Sequence, residues 1–140
     1  MSRHSWTLRV PAEPAACRDA RLALRRFLDP LLPEAVVQDA VLVLHELVAN
    51  GVDHARTPMR LAARVRDGSV RVTVRDGSVV PGREQPYGTA ARRGRGLQIV
   101  ATVARCWGVR RNRAGKTTWA EIGPPTAAGV TPELHLVGPA

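Results

Sequence analysis

Over residues 36–54 the apolar positions return every three or four residues, the pattern of one long amphipathic helix. With successive residues about 100° apart, Val37, Ala40, Val41, Leu44, Leu47, Val48 and Gly51 fall on one arc. Asp39, Glu46, Asn50 and Asp53 fall on the other side. Glu46 and Asn50 stand one turn apart, so a carboxylate and an amide point the same way. Taken alone, that polar side reads as a solvated face.

The pattern elsewhere predicts the remaining elements. Residues 6–10 alternate and read as a first strand that Pro11 and Pro14 end. Residues 15–28 return to helical spacing, with Ala16, Ala20, Leu22, Leu24, Phe27 and Leu28 apolar and Arg18, Arg21, Arg25 and Arg26 between them. Pro33 suits the first turn of the central helix. Residues 59–65 and 69–75 are two strands joined by Asp67-Gly68, a strong hairpin signal. Val70, Val72 and Val74 line one face of the second strand, and Arg71, Thr73 and Arg75 the other. Residues 76–93 form a loop of a length that is usually functional. Residues 94–104 are helical again, and residues 107–113 and 116–122 form a closing hairpin around Ala114-Gly115. Strands grouped beside helices, without strict βαβ alternation, predict an α/β two-layer sandwich with a mostly antiparallel sheet covered on one face by helices. The domain is expected over residues 1–123, with residues 124–140, rich in Pro, Gly and Ala, as a flexible tail.

Composition narrows the picture. The 140 residues fit one domain with room for a core. Aromatic residues are only 4%, so that core must be built from Val, Leu, Ile and Ala. Lys and Arg number 21 against 12 Asp and Glu, and Lys116 is the sole lysine. Arginine forks suit phosphates and carboxylates, so an anionic ligand or an acidic partner fits, and the arginines of residues 15–28 offer one such docking surface. Nucleic acid is disfavoured as a partner, because the arginines are distributed along the chain and no reading helix is evident. Cys17 and Cys106 lack metal-type spacing and are expected to pack as small buried hydrophobes. The first residues show no signal-peptide pattern and no stretch approaches the roughly 18 apolar residues of a membrane span, so a cytoplasmic location is expected.

Three segments carry candidate chemistry: Glu46-x-x-x-Asn50, Val74-Arg-Asp76 and Gly94-Arg-Gly96-Leu97. The Asn50 amide oxygen is a hard ligand suited to Mg²⁺, which keeps waters and bridges to phosphates. Glu46 can orient or deprotonate a hydroxyl nearby. Asp76 at a strand end can accept a hydrogen bond from an exocyclic amine such as that of adenine. Gly94 and Gly96 open a helix whose free N–H groups suit phosphate, and Arg92, Arg93 and Arg95 add charge. Each segment alone is a weak signal, since a lone Asp-Gly or Gly-x-Gly marks a turn more often than a site.

Their order is specific. The chain resembles the ATP-binding domain shared by DNA gyrase, a heat-shock chaperone family, histidine kinases and MutL, the GHKL superfamily. Within it the chain is most similar to the actinobacterial anti-sigma-factor serine kinases and stand-alone ATP-binding regulators. Residues 46–55 match that family's N box, residues 74–78 stand at its first glycine box and residues 94–100 match its second. Trp107-Gly108 follows, and residues 115–120 match the final strand pair. The resemblance implies that Asn50 holds Mg²⁺, Glu46 is the catalytic base and Asp76 binds the adenine amino group. It also implies that Thr118 supports the adenine pocket and that residues 79–93 form a lid over the phosphates. Asp53 and His54, one turn beyond Asn50, read as helix-end residues. The implied cofactors are ATP and Mg²⁺. The implied partners are a sigma factor, an anti-sigma-factor antagonist phosphorylated on Ser or Thr, and a second copy in a homodimer.

One departure supports a second reading. The family carries further glycines after the aspartate, whereas here Ser78, Val79, Val80 and Pro81 follow Gly77. Stiff β-branched residues at that point favour a non-catalytic, nucleotide-sensing or nucleotide-independent protein-binding regulator of transcription.

Overall fold

The computed structural model describes residues 4–78, 94–124 and 133–134. The expected lid, residues 79–93, and residues 125–132 and 135–140 of the expected tail lie outside the described residues. The elements in chain order are β1 (His4–Val10), α1 (Ala15–Leu28), α2 (Glu34–Asn50), a π turn (Gly51–Ala55), β2 (Met59–Arg66) and β3 (Ser69–Asp76). These are followed by α3 (Gly94–Val103), β4 (Cys106–Asn112), β5 (Gly115–Ile122) and the two-residue β6 (Glu133–Leu134).

The sheet has the order β1-β2-β3-β5-β4-β6. The first five strands pair antiparallel, and β6 adds to β4 in parallel. The expected α/β sandwich is therefore observed, with α1, α2 and α3 as its helical layer. Strand parity decides what faces them. Residues opposite one another across a ladder share a face, so Leu61, Val74, Thr118 and Val109 form one row on the helix side. Ala63, Val72, Ala120 and Trp107 form the next row.

Helix α1 buries Ala16, Ala20, Leu24 and Leu28 at a strict four-residue spacing. Arg25 and Arg26 in its last turn oppose the negative end of its dipole. The Arg25 guanidinium also reaches Glu34 Oε1 at 3.0 Å, which ties the end of α1 to the start of α2 and holds the Glu34 carboxyl below its usual range. Pro33, extended at φ −61° and ψ 150°, is the cap before α2 rather than a residue of its first turn. The buried arc of α2 is wider than the periodicity predicts. Val36 and Val43 are buried too, while Val41 is half-buried. The reason is that α2 is the middle helix, packed on α1, α3, β3 and β5 at once. By length and composition alone, Glu34–Ala55 is a helix apolar enough to cross a membrane, which the sequence reading did not anticipate. Most of its large apolar residues lie in the core between the neighbouring helices and the sheet, while Leu42 is exposed.

Two turns locate the strands. Asp67 (φ 51°) and Gly68 (φ 78°) both adopt the left-handed region, as a two-residue hairpin of the right twist requires. The final hairpin turns one residue earlier than expected. Gly115 pairs with Asn112 as the first residue of β5, and Asn112 Oδ1 accepts the Ala114 N–H at 2.8 Å.

Candidate functional site

Asp76 ends β3 on the helix side of the sheet and is the buried charged residue among the described ones, 3% exposed. An ionised carboxylate in that position needs donors around it, and the chain supplies them. Oδ1 accepts the Ser78 N–H at 2.9 Å and the Ser78 hydroxyl at 2.5 Å. Oδ2 faces the Lys116 ammonium at 3.7 Å. The next residue is pinned separately, since the Gly77 N–H donates to Thr57 Oγ1 at 2.8 Å. Gly115 closes the other side. Its φ of +143° and the closeness of a Cβ there to the Asp76 carbonyl oxygen leave room for glycine alone.

The end of α2 reaches this point through a short chain of contacts. Gly51 follows Asn50 directly and lies so close to Met59 that a Cβ would overlap the Met59 sulfur. Met59 in turn is the cross-strand partner of Asp76. After Asn50 the helix loosens into a single π turn, a feature frequent at functional sites, and Arg56 closes it in the left-handed region at φ 54°. Glu46 and Asn50 are both half-buried, and neither makes a hydrogen bond or ion pair with another described residue. Their polar atoms are therefore available to a ligand. Glu46 and Asp53 also lie close enough to Cys17 on α1 for their charges to raise its thiol pKa, secondary to burial as the first cause. Asp53 and His54 are exposed, at the helix end where the sequence places them.

Thr118 is half-buried and sits on the same side of β5 as Lys116, diagonally across from Asp76. Leu97 is half-buried against the core from α3, which packs on α2. Gly94, Arg95 and Gly96 form the first turn of α3, and their side chains lie outside the described residues. The structure thus brings Asp76 and Thr118 together and links them through Met59 and Gly51 to Asn50. Around Asp76 the structure adds Lys116 and Ser78, which lie inside the matched motifs but carry no role there, and Thr57, which lies outside them. Lys116 was legible in principle, since it shares parity with Thr118, but placing it beside Asp76 requires the β3–β5 register.

The cysteines are less buried than expected, although Cys17 packs against the core. Both are only half-buried and unpaired. Burial raises both thiol pKa values, and for Cys106 the 3.4 Å contact of its thiol with Glu121 adds to the effect.

The donor set suits a nucleotide better than a resident metal. Among the described residues no group of three or more His, Cys, Asp or Glu side chains could hold an ion. The single Asn50 amide oxygen suits instead a Mg²⁺ that arrives on a triphosphate and keeps its waters. A buried carboxylate and a half-buried threonine facing a helical layer suit the polar edge of a base.

A mostly antiparallel sheet under three helices, with this carboxylate at a strand end, is an α/β two-layer sandwich. The family model of the histidine kinase-like ATPase domain matches residues 10–122, and the chain belongs to that family. No curated protein sequence matches it. Among solved structures, the fold is similar to that of the RsbU and RsbW domains of Rv1364c from Mycobacterium tuberculosis. The two share a TM-score of 0.66 and 20% identity over 87% of this chain. The chain spans 33% of that structure's length.

Proposed function

We propose that the chain is a Mg-ATP-dependent regulatory kinase of the anti-sigma type. In this reading it binds a sigma factor and transfers phosphate to a Ser or Thr of an anti-sigma-factor antagonist. The observation that carries it is the link from buried Asp76, through Met59 and Gly51, to the unpartnered side chains of Asn50 and Glu46. Membership of the histidine kinase-like ATPase family supports ATP as the nucleotide.

Asp76 accepts the adenine amino group and Thr118 supports it. Asn50 contributes to the Mg²⁺ shell. The first turn of α3, from Gly94 through Arg95 and Gly96 to Leu97, meets the phosphates with residues 79–93 as the lid. Glu46 takes the proton of the acceptor hydroxyl as its oxygen bonds to the γ-phosphorus. The bond from that phosphorus to the bridging oxygen breaks, and ADP leaves with the electron pair. The unit is residues 1–123 with residues 124–140 appended. It acts in the cytoplasm, and self-association into a homodimer belongs to the same reading. The test is phosphate transfer from Mg-ATP to candidate antagonists by the wild type and by Glu46→Ala. No transfer by the wild type, or equal transfer by both, rules out this catalytic assignment.

A second reading is favoured by one observation: both Asp76 oxygens already have partners within the chain, Ser78 and Lys116. A chain that supplies its own donors to the base-binding carboxylate suits a sensor or scaffold. Calorimetric titration separates the cases. Tight ATP binding without transfer supports a sensor, and no binding supports a nucleotide-independent scaffold.

A further inference from the structure

The face of the sheet turned away from the helices gathers arginines that are far apart in sequence. Arg9, Arg60 and Arg75 stand directly opposite one another on β1, β2 and β3, and the same row continues through Thr117 to Arg110 on β4. A second row carries Arg64 and Arg71 opposite each other and ends at Glu121 and Cys106. All six arginines are exposed. Glu121 is the one carboxylate in these rows, and among the described arginines it pairs with Arg71, at 3.8 Å. Arg9, Arg60, Arg64, Arg75 and Arg110 make no ion pair with another described residue. Like charges directly opposite across a ladder destabilise a sheet, so this arrangement works against the fold that carries it.

Between the two charged rows lies a neutral one: Thr7, Ala62, Thr73, Trp119 and Gly108. Ala62, Thr73 and Trp119 are half-buried. A weakly polar strip rimmed by charge, with Trp and Arg as its large side chains, has the anatomy of a protein interface. Arg60 and Arg64 are four residues apart, so the rows are about 13 Å apart at 3.3 Å per residue. An α-helix with its side chains is about 10–12 Å across. Five strands at about 4.8 Å spacing make the strip about 19 Å long, the length of about 13 helical residues.

We propose that this face docks an amphipathic helix of another protein, its apolar stripe on Trp119 and Ala62 and its Asp and Glu side chains against the two arginine rows. A second copy of this chain is a poor occupant. Its own sheet face repels this one, and its α1 exposes Arg18, Arg21 and Arg26. Nucleic acid fits less well than an acidic helix. Single strands need successive aromatic platforms, and Trp119 is the one aromatic side chain in these three rows. This docking face is independent of the nucleotide site, which lies on the other side of the sheet.

The test uses a fluorescent 18-residue amphipathic peptide of Glu and Leu, its sequence-scrambled isomer, and single-stranded and duplex DNA, with affinity read by anisotropy at 0.1 M salt. The wild type is expected to bind the amphipathic peptide at least tenfold more tightly than the scrambled one. Arg60→Thr/Arg75→Thr is expected to weaken that binding at least tenfold, while Arg18→Ala/Arg26→Ala on α1 changes it less than twofold. The sheet variant should unfold at the same temperature as the wild type or higher, because two like-charge pairs are gone. Binding untouched by the sheet variant, equal loss from the α1 variant, or a clear fall in unfolding temperature overturns the proposal. DNA that binds more tightly than the peptide and displaces it also overturns the proposal and makes the face a phosphate-backbone surface.

Discussion

Lys116 Nζ lies 3.7 Å from Asp76 Oδ2 across the β3–β5 pair, with the carboxylate side chain 2% exposed and the lysine side chain 16%. That is too long for a hydrogen bond and close enough for an ion pair. At an effective dielectric of 20, unit charges at 4 Å attract by about 4 kcal/mol, and desolvation of both groups cancels much of it. An adenine amine that bound this carboxylate through Oδ2 would compete with the ammonium. Lys116→Met is expected to destabilise the ligand-free protein by about 1–3 kcal/mol, the cost of an unmatched buried polar group. If the amine then takes the ammonium's place, saturating ATP should raise the unfolding temperature more in the variant than in the wild type. A smaller ATP shift in the variant would mean that Lys116 contacts the nucleotide rather than competing with it.

Gly115 gives a second handle on Asp76 that leaves its carboxylate intact. A methyl group there overlaps the Asp76 carbonyl oxygen at a φ of +143°. Overpacking and backbone strain together should cost Gly115→Ala about 3 kcal/mol in urea unfolding and weaken nucleotide binding by shifting the end of β3. Gly68→Ala is the control. Its φ is +78°, but nothing lies within 4 Å, so only the left-handed penalty of about 1 kcal/mol applies. Equal costs for the two would show that the backbone can shift to make room at Gly115.

The parts of the fold that repeat were legible in the sequence. The four-residue spacing from Ala16 to Leu28 marks the extent of α1 and its buried stripe, although Leu22, read with the apolar positions, lies off that stripe and is exposed. The alternation of Val70, Val72 and Val74 fixes the inward face of β3. The Asp67-Gly68 pair fixes the hairpin. What depends on register was not legible. No local pattern pairs Lys116 with Asp76 or aligns Arg9, Arg60 and Arg75, because those contacts follow from which residue of one strand meets which residue of the next. The π turn after Asn50 was missed for a related reason. The periodicity runs on through Gly51 to His54, and the change of hydrogen bonding from i+4 to i+5 leaves no mark on it.

Glu46 and Asn50 share a helical face but should fail differently. Glu46→Gln keeps the shape and removes the proposed base, so phosphate transfer should fall by a factor of about 10²–10⁴, with ATP affinity changed less than twofold. Asn50→Ala removes the amide proposed to face the metal, so ATP binding in the presence of Mg²⁺ should weaken while binding in EDTA barely changes. Calorimetry with and without Mg²⁺, beside a transfer assay, reads both. Loss of metal-free binding in Asn50→Ala would place the amide on the base or ribose instead.

Asp39 lies on the polar side of α2, half-buried and without a hydrogen bond to another described residue. Burial raises its carboxyl pKa above the ordinary 3.8. The folded chain therefore holds this proton more tightly than the unfolded chain does. The sign of the linkage follows: the group costs nothing below pH 3.8, and its penalty on folding grows as pH rises through the folded-state pKa and is complete above it. Asp39→Asn removes a charge that burial disfavours and leaves the other carboxylates in place. Its urea midpoint should exceed that of the wild type at pH 7, and the gap should close as the pH falls towards 3.8. A gap that is reversed at pH 7, or constant across the range, would mean that the ionised Asp39 is held by a favourable partner and not penalised by burial.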